Sequence, residues 1–165
     1  MIKRGQAALE FLTTYGWAFL VILIMVGALA YFGILKPSKL LPDRCNFGSE
    51  MGCVDYKIGT ATLNLRLKNN IGEAIIIPAA ASIVLSSESG TGYDCTSKTI
   101  TGKTFPVTWN GGEILEFVGA TCGGTGAGFV VGEKAKVFMT INYYDVKSGS
   151  AYTHQIAGEA FTTVT

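Results

Sequence analysis

Few residues in this chain are equipped for chemistry. Glu10 stands at the start of a run from Phe11 to Leu35 that holds no charged residue over 25 positions. Placing a carboxylate in the middle of a membrane helix costs about 2.5–3.5 kcal/mol on insertion scales, and acids in such segments usually serve a function. The chemistry open to Glu10 is ion pairing with a cation one helical turn away. Four cysteines, Cys45, Cys53, Cys95 and Cys122, all follow the apolar run. His154 is the single histidine and is expected at a surface or strand edge. No HExxH, no Ser/His/Asp spacing and no clustered acidic pair is present, so the sequence predicts no catalytic residue, no metal and no cofactor.

The element that positions Glu10 is a long helix. At 1.5 Å per residue the uncharged run is about 37 Å long, enough to cross a bilayer. Lys36, Pro37 and Lys39 give it a sharp end, because proline cannot continue a helix. A helix apolar on all sides must be buried on all sides, by lipid or by copies of itself. Small residues at Ala7, Ala8, Gly16, Ala18, Gly27, Ala28, Ala30 and Gly33 let helices approach closely. Phe11, Tyr15 and Phe19 recur every four residues as an aromatic contact stripe. Three readings compete. A secretory signal has the basic Lys3 and Arg4 and an Ala28-Leu29-Ala30 site, but its apolar core is about 7–15 residues, far shorter than this one. A plain anchor gives Glu10 no role. The third is a leader removed ahead of the helix.

Lys3-Arg4-Gly5-Gln6-Ala7-Ala8-Leu9-Glu10-Phe11-Leu12 carries the third reading. It resembles the class III signal peptide of archaeal type IV pilin-like proteins: a short basic leader, Gly before the cut, Gln after it, and Glu fifth in the mature chain. The resemblance covers roughly residues 1–36. It implies cleavage between Gly5 and Gln6 by a prepilin peptidase, with Lys3 and Arg4 as the leader charge. It also implies retention of the helix as filament core. Cleavage would give Gln6 a cationic α-amino group one turn from Glu10, in its own subunit or a neighbour. An unpaired buried charge is heavily penalised, so this pairing would set axial register between subunits. The lack of an early-glycine pattern points to an adhesion pilus over a swimming filament.

Beyond the helix the text turns mixed and rich in Gly and Thr. Net charge is +1, and without Lys3 and Arg4 the chain keeps 11 basic against 12 acidic residues. With no Lys/Arg cluster after the leader, no nucleic acid is expected as partner. Outside a membrane four cysteines read as two disulfides. Three pairings are possible, of which proximity in sequence favours Cys45–Cys53 and Cys95–Cys122.

Residues 37–59 read as a disulfide-stapled connector. From Thr62 to Lys68 apolar and polar residues alternate strictly, the mark of a half-buried strand. Further strands are expected at Ala74–Ile77, Ser82–Ser86, Phe105–Trp109, Glu113–Val118 and Lys134–Tyr144. A last one spans Ala151–Val164, broken at Gly158. Asn110-Gly111-Gly112 reads as a hairpin turn between two of them, and the glycine-rich stretch 119–132 as a flexible loop pinned by Cys122. The rhythm predicts an all-β immunoglobulin-like sandwich head preceded by one long N-terminal hydrophobic α-helix. The expected division is leader 1–5, helix 6–36, connector 37–59 and extracellular sandwich 60–165. The expected partners are other copies of the chain, the processing peptidase and, before assembly, membrane lipid. The expected location is the membrane and then an extracellular filament. A membrane-tethered surface protein whose sandwich binds a ligand is the alternative.

Overall fold

The computed structural model describes residues 3–32, 41–87, 94–123 and 129–165, and for residues 3–9 and 12 the backbone alone. The chain forms two compact units, Met1–Leu41 and Pro42–Thr165. The first holds α1, Lys3–Tyr31, a helix of 29 residues. It is rich in Leu and Ala, which favour helix, and contains no proline. Phe32 N donates to Ala28 O at 3.0 Å and closes the last turn. In the full chain the helical backbone begins at Lys3, so it takes in the leader residues Lys3 to Gly5 ahead of Gln6. The expected stop at Lys36, Pro37 and Lys39 lies outside the described residues, as does Gly33.

The second unit is a sandwich of two antiparallel sheets. Its strands are β1 (Arg44–Asn46), β2 (Met51–Ile58), β3 (Thr62–Asn69), β4 (Ile75–Ile77), β5 (Ile83–Ser87), β6 (Cys95–Ile100), β7 (Val107–Trp109), β8 (Ile114–Cys122), β9 (Lys134–Asp145) and β10 (Thr153–Thr163). One sheet runs β1-β10-β9-β4-β7 with β5 also on β9; the other runs β2-β3-β8-β6. Alternation explains the core. Leu63, Leu65 and Leu67 of β3 point inward, as do Ala135, Val137, Met139, Ile141 and Tyr143 of β9. Trp109 is fully buried, its ring 5.3 Å from that of Phe117.

The structure changes several expectations. Residues 42–59 are not a connector but part of the sandwich: β1 pairs with β10, β2 pairs with β3, and Phe47, Met51 and Ile58 are core residues. The strand Cys95–Ile100 pairs with β8 although only its two ends are apolar and buried. The turn at Asn110-Gly111-Gly112 forms but joins no hairpin, because β7 belongs to one sheet and β8 to the other. Gly158 does not break β10: it pairs with Met139 inside a continuous strand. A Cβ on Gly158 would lie 2.2 Å from Cδ1 of Phe47, so glycine is there to admit the ring. The glycine-rich stretch likewise begins as strand. Gly119 faces the Cys95–Cys122 bridge, where a Cβ would meet Cys95 Sγ at 2.6 Å. Residues 124–128 of that stretch lie outside the described residues.

Polar groups knit the corner where β3, β7 and β8 meet. Asn69 is buried, and its Nδ2 donates to Glu73 O at 2.9 Å and to Trp109 O at 3.1 Å. Its Oδ1 accepts from Ile71 N at 2.9 Å. Trp109 Nε1 donates to Glu113 O at 2.9 Å. Each buried polar group is thereby satisfied, which avoids the penalty of an orphaned donor or acceptor. Elsewhere Cys45–Cys53 ties β1 to β2, and Cys95–Cys122 ties β6 to β8.

Two carboxylates titrate below the usual range. A hydrogen bond from the Lys134 side chain lowers Asp43, and the backbone N–H of Asn110 followed by Lys103 lowers Glu113. Both bind a proton more weakly folded than unfolded. Their stabilisation is therefore complete above the unfolded pKa and is lost as pH falls through the lower folded value. Thermal unfolding should show Tm falling on acidification below about pH 4, less steeply in Glu113→Gln than in the parent. Gly158→Ala should lower stability by about 1–3 kcal/mol through overpacking. Combining it with Phe47→Leu should cost less than the sum of the two, since the pair shares one space.

Candidate membrane and assembly helix

The functional residues predicted from sequence gather on α1. Lys3, Arg4, Gly5 and Gln6 fall in its first turns, so the Gly5–Gln6 peptide bond is part of a helix. Glu10 follows Gln6 by one turn and its side chain is exposed. The hydroxyls of Thr13 and Thr14 both donate to the Glu10 carbonyl, at 3.1 and 2.8 Å. Such back-bonding hides two hydroxyls against the helix, and an apolar environment requires that.

From Thr13 to Tyr31 the helix offers 19 residues that are long and apolar enough to span a membrane or to act as a signal. None of this span is buried within the chain. Phe11, Tyr15 and Phe19 are 63, 59 and 63% exposed. The rings of Phe11 and Tyr15 lie 4.4 Å apart, so the expected stripe begins as a stacked pair. Trp17, Leu20, Leu23, Ile24 and Met25, on the other sides, are exposed as well. A Cβ added at Gly16 or Gly27 would meet nothing within 4 Å. Neither glycine is required by a neighbour among the described residues, and both leave shallow places on the helix surface.

The sandwich carries the cysteines and the histidine. All four cysteines are bridged, as Cys45–Cys53 and Cys95–Cys122. Proximity in sequence marked this pairing out from the three possible. His154 is half-exposed on β10, its Nε2 3.5 Å from Asp145 Oδ2 and its ring 5.6 Å from that of Tyr143. Burial raises the pKa of Tyr143 and also that of Tyr56. Among the described residues no three His, Cys, Asp or Glu side chains cluster as metal ligands would. The outer face of β9 and β10 has a shallow trough lined by Asn46, Gly48, Phe138, Thr140, Ala157 and Glu159. Its walls carry one carboxylate, and that is paired with Arg44 at 3.1 Å and Lys136 at 3.3 Å.

Sequence reasoning missed the corner built by Asn69, Trp109 and Glu113. The signal was present in Asn69-Asn70 and Asn110-Gly111, two polar turns, but their meeting is a property of the sheet order. Comparison with protein-family models and with curated proteins finds no match to this chain.

The helix is long and apolar enough to span a membrane or to act as a signal, and a charge placed in it tests the first role. Leu23→Arg, in mid-helix, should shift the protein from the alkali-resistant membrane fraction toward the soluble one. The penalty is of the order of 2.5–3.5 kcal/mol. The strand signature in circular dichroism should be unchanged, because the β-unit has its own core.

Proposed function

We propose that the chain is the structural subunit of a pilus of the archaeal type IV kind. Its β-sandwich forms the outer shell and its α1 helix the filament core. The observation that carries this reading is the placement of Glu10. It is an exposed acid one turn past the Gly5–Gln6 junction, at the foot of a helix whose apolar side chains are exposed among the described residues. The resemblance of residues 1–36 to class III signal peptides supports the same reading.

The sequence of events follows from the chemistry. Lys3 and Arg4 hold the leader on the cytoplasmic side, as positive residues do. A peptidase opens the first helical turn, where helices fray most easily, and cuts after Gly5. The new amine on Gln6 and the Glu10 carboxylate then make an ion pair within or between subunits. Lipid covers the helix before assembly, and neighbouring helices cover it afterwards. Close packing is served by Gly16, Gly27 and the small residues between them. Adhesion to surfaces is the purpose drawn from the resemblance.

Two measurements test this. Mass spectrometry of protein from the cell surface should give Gln6 as the N-terminus; Met1 or Tyr31 would sink the processing step. Glu10→Ala should remain membrane-inserted and processed but yield no filaments in sheared surface material under the electron microscope. Filaments of normal abundance in that variant would remove Glu10 from assembly. A parent protein that is processed yet never polymerises would favour a membrane-tethered binding protein.

A further inference from the structure

The turn Asn110-Gly111-Gly112-Glu113 holds the only Asn-Gly pair in the sequence. In an unconstrained chain this is the dipeptide most prone to lose its side-chain amide. The Gly nitrogen bonds to Asn Cγ, the Cγ–Nδ2 bond breaks, and ammonia leaves with the proton from that nitrogen. Water then opens the resulting succinimide to aspartate or isoaspartate. A following glycine makes the reaction fast because no side chain shields the attacking nitrogen.

We infer that Asn110 is a latent deamidation site, imposed by the close approach of Gly111 to Gly72 and restrained by the Glu113 carboxylate. The inference stands apart from the proposed function. Glycine cannot be replaced at 111: a Cβ would lie 2.5 Å from Gly72 O and 2.6 Å from Gly72 C. The packing of two backbone segments at the corner therefore fixes the glycine half of the labile pair. Every other Asn is followed by a larger residue, in Asn46-Phe47, Asn64-Leu65, Asn69-Asn70, Asn70-Ile71 and Asn142-Tyr143.

The restraint is as specific as the hazard. Glu113 Oε2 accepts from Asn110 N at 2.9 Å and from Asn110 Nδ2 at 3.1 Å. Lys103 Nζ holds the other oxygen, Oε1, at 2.9 Å. The leaving amide is thus tied to a carboxylate that is itself anchored. The backbone is tied too, by Glu113 N to Asn110 O at 3.1 Å and Gly112 N to Asn69 O at 2.7 Å. Cγ can meet the Gly111 nitrogen only after the side chain swings away from Glu113 and the turn opens. A carboxylate so close also opposes loss of the proton from the Gly111 nitrogen. Were the reaction to run to isoaspartate, one methylene would enter the backbone between β7 and β8. That is the corner where Asn69 and Trp109 join the sheets.

The test uses the full-length protein in detergent, incubated at mildly alkaline pH. Peptide mapping by mass spectrometry follows amide-to-acid conversion at Asn110, with a synthetic peptide of residues 107–115 setting the unconstrained rate. The parent protein should convert at least about tenfold more slowly than the peptide, and Glu113→Ala at least about tenfold faster than the parent. That is the order expected from losing hydrogen bonds to a charged acceptor. Lys103→Met should fall between the parent and Glu113→Ala. Circular dichroism confirms that each variant is folded; if Glu113→Ala is not, Glu113→Gln replaces it and should also be faster than the parent. A parent rate equal to the peptide's would overturn the inference. So would a folded Glu113 variant that converts no faster than the parent.

Discussion

The apolar surface of α1 is left uncovered by the described residues and calls for an apolar surrounding. A helix with exposed aromatic and aliphatic side chains on every face is not at equilibrium in water, since each buried methylene is worth about 0.8 kcal/mol. The division of the molecule into two units follows from this constraint. Charge is confined to the foot of the helix and to the residues from Lys36 onward. Inside the helix the backbone satisfies itself, and Thr13 and Thr14 turn their hydroxyls onto the Glu10 carbonyl. Glu10 is therefore the one carboxylate within the described helix, and beyond Arg4 no lysine or arginine lies in that helix. A group so placed carries information about what surrounds the helix, whether headgroups, an amine or another chain.

The β-unit answers the opposite requirement and needs nothing from outside to close its core. Only β2–β3 and β9–β10 form hairpins between successive strands, while most other connections cross from one sheet to the other. Crossings leave backbone polar groups without a ladder partner. Asn69 shows how this is solved: one buried amide serves Glu73, Trp109 and Ile71 at once. The bridges act at margins, between β1 and β2 and between β6 and β8, where short or irregular strands have the fewest partners.

Much of this was legible in the sequence. The long helix follows from 25 uncharged positions, and β3 and β9 from strict alternation. What escaped were elements whose identity is decided by distant residues. β2 hides its period because its register slips between Cys53 and Asp55. β6 has apolar side chains only at its ends, since it is an edge strand. Asn-Gly-Gly announces a turn but not which sheet each arm will join; Asn69 and the burial of Trp109 decide that. Gly158 reads as an interruption until Phe47, 111 positions earlier in number, is seen to fill its space. For the helix, sequence supplied the register of Gly5, Gln6 and Glu10, and the structure adds the helical backbone and the exposure of the acid.

The Cys45–Cys53 bridge has a mechanical meaning. Any tension carried along α1 reaches the sandwich through Pro42 and passes first to β1, which holds β10 over only three residues. A three-residue ladder is a weak clamp against pulling. The bridge at its middle residue diverts the load covalently to β2, which is paired along β3 in the opposite sheet. Force is thereby shared by both layers almost as soon as it arrives. A first strand held in this way resists being peeled from the sandwich.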